Sequence, residues 1–173
     1  MWSTCPGCGL ILPGEPGPAG GRRNASAACW QLYGEVTGFE ALHPTRLGRF
    51  HQLTVDAYAA QHPAPPGPPI GTAFALIGLR LALDEGMTGP QVRAAHEELA
   101  RRHRQWPTFP PPEPAAMTVF EVAAAGSPDE HAELVQRWAA AVWAGWRNAH
   151  GQVAALLDER LPPDARARLR AVG

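Results

Sequence analysis

The sequence contains no lysine; all 15 of its basic residues are arginine. Chemistry that runs through a lysine Schiff base or a lysine general base is therefore excluded. No apolar run approaches the roughly 20 residues that a membrane-spanning helix needs. The first residues, MWSTCPGCG, lack the basic region and apolar stretch of a secretion signal. These two absences lead us to expect a cytoplasmic protein with no membrane partner. A net charge of −1 at pH 7 also demotes general nucleic-acid binding, which calls for a basic surface. No period-2 alternation marks a strand, and no internal repeat is evident.

Cysteine is sparse as well. There are three, Cys5, Cys8 and Cys29. An odd count in a reducing compartment argues against a disulfide framework. It leaves a metal site, a redox pair or buried inert thiols.

What the chain does have is alanine, arginine, 18 glycines and 19 prolines, a usage that fits a GC-rich bacterial genome. Hydrophobic residues make up 45% of the 173 positions, enough to fold one domain around a core. We expect a single all-α domain over residues 1–173, a bundle of about five helices with an N-terminal CxxC zinc knuckle. Residues 1–23 hold the knuckle and a Gly/Pro loop, PGEPGPAGGRR. Residues 24–62 form a helical hairpin. Asn24 or Ser26 caps its first helix, whose inward face carries Cys29, Leu32, Tyr33, Val36 and Phe39 at i, i+3, i+4 spacing. His43-Pro44 interrupts, and a second helix runs over 45–61.

The prolines at 63–69 and 105–117 read as linkers. Between them, a nearly all-apolar helix spans about 70–85, and Gly86 ends it. Thr88-x-x-Gln91 is a capping box for a helix reaching about Arg104. Thr118-x-x-Glu121 caps a short turn. Ser127-Pro128-x-Glu130 starts a long helix over 127–160, and a short one follows Pro163. The arginine clusters 101–104 and 166–170 read as solvated faces of helix ends.

Two cysteines in one turn, with Gly7 and Gly9 letting the backbone curl, supply half of a tetrahedral zinc site. Cys29, near a helix start where the dipole favours a thiolate, is the third ligand. The competing reading makes Cys29 a small core residue and CxxC a surface turn. The fourth ligand is a histidine. His51 and His62, 11 residues apart, share a helical face but stand roughly 16 Å apart, so one ion cannot take both. The knuckle approaches from the free end of the first helix, which favours His62, with His51 as the alternative.

A second cluster lies on the long helix, where Trp143, Trp146 and His150 share a stripe with Val153 and Leu157. His150 is either a core histidine bonded to a neighbour, or it joins His51 in a pocket roofed by Trp143 and Trp146, with Asp56 and Tyr58 nearby. Such histidines suit acid–base work, which makes His51, Tyr58 and His150 the catalytic candidates. His43, His96, His103 and His131 read as surface.

The segments CPGCGLILP, ASAACWQLYGEV, FHQLTVDAYAAQHP, IGLRLALDEG and RWAAAVWAGWRNAHGQV resemble, in that order, a bacterial family of unknown function, domain of unknown function 5946. The resemblance covers most of the chain. It implies that Cys5, Cys8, Cys29, His51 and His62 belong to the family pattern, together with His150. It implies no activity. Two function classes remain: a structural-zinc module that binds a protein or small molecule, and a small-molecule metalloenzyme with a pocket in the bundle. A closed thiolate-rich site favours the first and an open coordination position the second. Oligomeric state stays open.

Overall fold

The computed structural model describes residues 1–14, 24–63 and 69–171. It is all-α, 66% helical. The Gly/Pro loop at 15–23 and the linker residues 64–68 lie outside the described residues. The expectation of about five helices is too low, because nine are present among the described residues. Helix α1 (Ala27–Leu42) starts where Ser26 Oγ accepts the Cys29 N–H at 3.2 Å, which satisfies a donor that helix geometry leaves free.

The helix expected over 45–61 is two, α2 (Pro44–Leu47) and α3 (His51–Gln61). The chain turns at Gly48, where a Cβ would stand 2.6 Å from the Pro44 carbonyl oxygen. Helix α4 (Ile70–Leu83) ends before Gly86, which adopts a φ of 67°. Helix α5 (Gly89–Arg102) opens on the Thr88/Gln91 capping box, and α6 (Val119–Ala123) on that of Thr118 and Glu121.

The long helix expected over 127–160 is also two. Helix α7 (Pro128–Gly145) is capped by Ser127 and gives way to a 3₁₀ turn at Arg147–Ala149. Helix α8 (His150–Arg160) then begins, followed by α9 (Pro163–Arg170). The cause of the break lies in the proline-rich crossing. The Glu113 N–H takes the Gly145 carbonyl at 2.8 Å, and a Cβ at Gly145 would meet the Glu113 oxygen at 2.6 Å. Glycine is needed for that approach, and the diverted carbonyl is one the helix would have used.

A strand pair also appears that the sequence did not signal. Strands β1 (Trp2–Thr4) and β2 (Ile11–Pro13) pair antiparallel, Trp2 opposite Pro13 and Thr4 opposite Ile11. Three residues per strand are too few for a period-2 pattern to stand out. Arg166, expected on a solvated face, is buried. It pairs with Glu85 at 3.2 Å and Asp158 at 3.0 Å, which fastens α9 to the bundle.

Helix α3 is central, packed between α4 and α7. It buries everything except His51 and Val55. Trp138 on α7 is fully buried, and its Nε1 donates to Gln61 Oε1 at 2.9 Å; Trp146 Nε1 donates to the Ala60 carbonyl at 3.1 Å. Each indole brings a large apolar area and one donor that must be matched. No described helix is long and apolar enough to cross a membrane.

Of the histidines expected at the surface, one is fully buried and another is partly buried. His131 is 1% exposed, because it lies on the seam of α7 with Val135, Trp138 and Val142. His96 stacks on Phe74 at 4.9 Å with its Nε2 buried and unpartnered. Burial pushes its pKa down from 6.5 to about 4, and a backbone contact with Phe74 offsets this only in part. A base depressed in the folded state is protonated first in the unfolded chain. Its contribution to stability is therefore complete above pH 6.5 and is lost as pH falls toward 4. We expect His96→Phe to remove up to about 3 kcal/mol of the stability lost in that window. Urea unfolding at pH 7 and pH 4.5 checks this. Parallel pH dependence in wild type and variant would show that His96 does not titrate as described.

Candidate metal centre

The hairpin and its loop build the knuckle. The Cys5 N–H bonds the Leu10 carbonyl at 2.8 Å, and the Gly9 N–H bonds the Cys5 carbonyl at 2.9 Å. Gly9 has a φ of 75°, a conformation that glycine adopts without a Cβ penalty. At Gly7 there is no room for a side chain: a Cβ would lie 2.4 Å from the Asn24 oxygen and 2.5 Å from His62 Cδ2. The loop is thus pressed against the entry to α1 and the exit of α3.

Cys29 stands in the first turn of α1, and His62 is the C-cap residue of α3. His62 Nδ1 donates to the Tyr58 carbonyl at 2.8 Å. A carbonyl only accepts, so the neutral ring has its lone pair on Nε2, which faces Cys29 Sγ at 3.3 Å. Cys8 Sγ is 3.8 Å from Cys29 Sγ. The ligand atoms of Cys5, Cys8, Cys29 and His62 all lie within 4.8 Å of one another. Two thiolates on a tetrahedral zinc stand about 3.8 Å apart, so the donor set fits such an ion in both chemistry and spacing. The second shell fits too. The tautomer of His62 is fixed by its carbonyl, and the Tyr58 hydroxyl donates to Cys29 Sγ at 3.5 Å.

The three thiols compete for protons. Hydrogen bonds from Cys29 and then Cys8 drive the Cys5 thiol far below its ordinary range, while the bonds to Cys5 and then Cys8 drive Cys29 far above. The Cys8 thiol is lowered by Cys29, but its bond to Cys5 and its burial outweigh that and push it up to about 11. Burial, with the bond to Cys29, raises the Tyr58 phenol above its usual value. Three thiolates crowd this space, and a divalent ion would relieve the conflict by replacing their protons.

The remaining sequence candidates go elsewhere. His51 is 44% exposed in its side chain, and its Nδ1 bonds Glu40 Oε2 at 2.7 Å. His150 stacks on Trp143 at 3.8 Å, and its Nε2 donates to the Trp143 carbonyl at 2.9 Å. No hydrogen bond or ring contact among the described residues joins His150 to His51 or His62. Trp143 covers His150, whereas Trp146 lines a cleft of about 430 Å³ together with Cys5, Cys8 and Gln61. Tyr58 belongs to the cysteine cluster, stacked between Tyr33 and His62 at 4.1 and 4.0 Å.

Sequence reasoning missed Glu40. This carboxylate is 2% exposed and receives Thr54 Oγ1, His51 and His131, the last at 3.0 Å. The available signal was an acid on the helical stripe of Val36 and Phe39.

The chain belongs to the Family of unknown function (DUF5946), whose family model matches residues 3–147. His150, α8 and α9 lie beyond the matched residues. No curated protein and no solved structure matches the chain.

The packing of Gly7 gives a direct test. Gly7→Ala drives a methyl into the Asn24 carbonyl and the His62 ring, and overpacking of this kind costs about 1–3 kcal/mol. Gly34→Ala, exposed on α1 with nothing within 4 Å of the added carbon, is expected to stabilise by about 0.5–1 kcal/mol. Thermal melts of the two variants should move in opposite directions. A Gly7→Ala protein as stable as wild type would mean that the loop does not press on His62.

Proposed function

We propose that this chain, as one helical domain, is a zinc protein in which Cys5, Cys8, Cys29 and His62 hold a single structural ion, and that it acts as a binding or interaction module. One observation carries the reading: three thiols and one ring nitrogen, from three separate segments, converge within 4.8 Å. A Cys₃His set fills a tetrahedral shell without an open position, which is the pattern of a structural site. The ion would tie the N-terminal loop to α1 and α3 at once and hold the thiols deprotonated. Thiolates that must stay free of disulfides suit a reducing compartment, so we place the protein in the cytoplasm. The exposed faces of Trp2 and Ile11 on the hairpin supply apolar surface for a partner.

A small-molecule metalloenzyme is the second reading. It draws support from the cleft of about 430 Å³ that abuts the knuckle beside Trp146. The complete donor set and the separate partners of His51 and His150 weigh against it.

Elemental analysis of purified protein is expected to give about one zinc per chain. Cys5→Ser, Cys29→Ser and His62→Ala should each lose metal and melt earlier, and chelation of the wild type should lower its Tm. Cobalt substitution should produce sulfur-to-metal charge-transfer absorption. Full metal content in both serine variants would refute the site. Chelation that strips the metal and leaves Tm unchanged would refute its structural role.

A further inference from the structure

Among the described residues, the histidine–carboxylate pairs both involve Glu40. We propose that this assembly makes His51 a phosphoryl acceptor. It takes the group at Nε2 from a donor that carries phosphate on nitrogen, as phosphoramidate or a second phosphohistidine does.

The argument begins with the carboxylate. Glu40 on α1 is 2% exposed, and burying such a group is costly unless it is hydrogen-bonded. Three donors meet it. Thr54 Oγ1 and His131 Nε2 donate to Oε1, the latter at 3.0 Å, and His51 Nδ1 donates to Oε2 at 2.7 Å. His131 is itself buried, with the Phe39 ring 5.2 Å from its own, so that end of the assembly is fixed. A carboxylate oxygen accepts, so Nδ1 of His51 holds the proton and the lone pair of the neutral ring is on Nε2. That nitrogen bonds nothing among the described residues, and the His51 side chain is 44% exposed. The ring is held at its inner nitrogen and bare at its outer one, the orientation that a nucleophilic or basic histidine needs.

The surroundings decide between those two roles. A general base works beside a bound substrate, and His51 lines none of the cavities of about 300, 430 and 450 Å³. An exposed nucleophile needs no cavity, because its reactant arrives from solution or on a partner. His51 is also the first residue of α3, which has no side-chain cap, and exposed Arg49 precedes it by two residues. A helix N-terminus and a nearby guanidinium both favour a dianion.

The step balances without an added proton. The Nε2 lone pair attacks phosphorus, the P–N bond of phosphoramidate breaks, and ammonia leaves with the electron pair of that bond. The ring keeps its Nδ1 proton and becomes a cation. The Glu40 carboxylate, 2.7 Å away, stabilises that charge as the acid of a catalytic triad stabilises an imidazolium.

Potassium phosphoramidate tests the proposal, with peptide mass spectrometry to locate the label and phosphorus NMR to identify the nitrogen. His43 and His103 are internal controls: both are partly exposed, and neither is paired with a carboxylate among the described residues. His51 is expected to label at least about tenfold faster than either, and at Nε2. His51→Gln changes an exposed side chain and should remove the fast label; Glu40→Gln should slow it by a similar factor. Circular dichroism and zinc content on the same samples separate this result from folding and from the metal reading. The comparison among wild-type histidines stands even if Glu40→Gln fails to fold. No label at His51, equal labelling of the three histidines, or labelling at Nδ1 would overturn the proposal. So would a folded Glu40→Gln protein that labels at the wild-type rate.

Discussion

The structure depends on one constraint: its most buried helix is polar. α3 sits inside the bundle, yet it carries Gln52, Thr54, Asp56, Tyr58 and Gln61, with His62 at its end, all buried. Each buried polar group must find a partner or cost the fold about 1–3 kcal/mol. The partners come from different parts of the chain. Thr54 reaches Glu40 on α1, Tyr58 reaches Cys29 on α1, and Gln61 takes the Trp138 indole from α7 while donating to the Met117 carbonyl at 2.7 Å. Apolar packing alone would let the surrounding helices slide over α3. These directional bonds fix where each of them stops.

The cysteine–histidine cluster is one consequence of that arrangement. It forms where two helices end. Cys29 lies in the first turn of α1, where Ser26 caps its N–H. His62 lies at the end of α3, where the Tyr58 carbonyl is available to orient its ring. The knuckle loop brings in the last two thiols, and Gly7 permits its close approach. A histidine at the C-cap has left the regular helix, so its ring can turn toward the cysteines. His51, at the opposite end of α3, is held by Glu40. Eleven residues of rise therefore separate two different jobs on one helix.

Much of this was legible in the sequence, and the parts that were not share a cause. Capping residues are local, so Ser26, Thr88, Thr118 and Ser127 mark the starts of α1, α5, α6 and α7. The four cysteine and histidine residues that cluster could be chosen from spacing and from the direction of approach. The break at Gly145 could not, because it is imposed by Glu113 on a distant crossing. Glu40 and His131 each sit on an apolar helical stripe, which hints at burial, but their pairing with each other is set by the fold alone. Nothing joins an acid and a histidine far apart in sequence until the fold brings them to 3.0 Å.

The polar core and the cysteine–histidine cluster are therefore parts of one network. Tyr58 gives its hydroxyl to Cys29 and its carbonyl to His62, and it stacks on Tyr33, which in turn lies 5.3 Å from Trp30. If the cluster holds the proposed ion, losing it would return protons to three crowded thiols. Each proton alters a bond that Cys29 makes, and Cys29 is packed at 0% exposure against the helix that carries Tyr58. A disturbance there cannot stay in the loop. It reaches α1 through Cys29 and α3 through His62, the two helices that also hold Glu40 and Thr54 together. The proposed ion would act here as a clamp on the bundle's central helix, because the four donors come from both helices as well as from the CxxC turn.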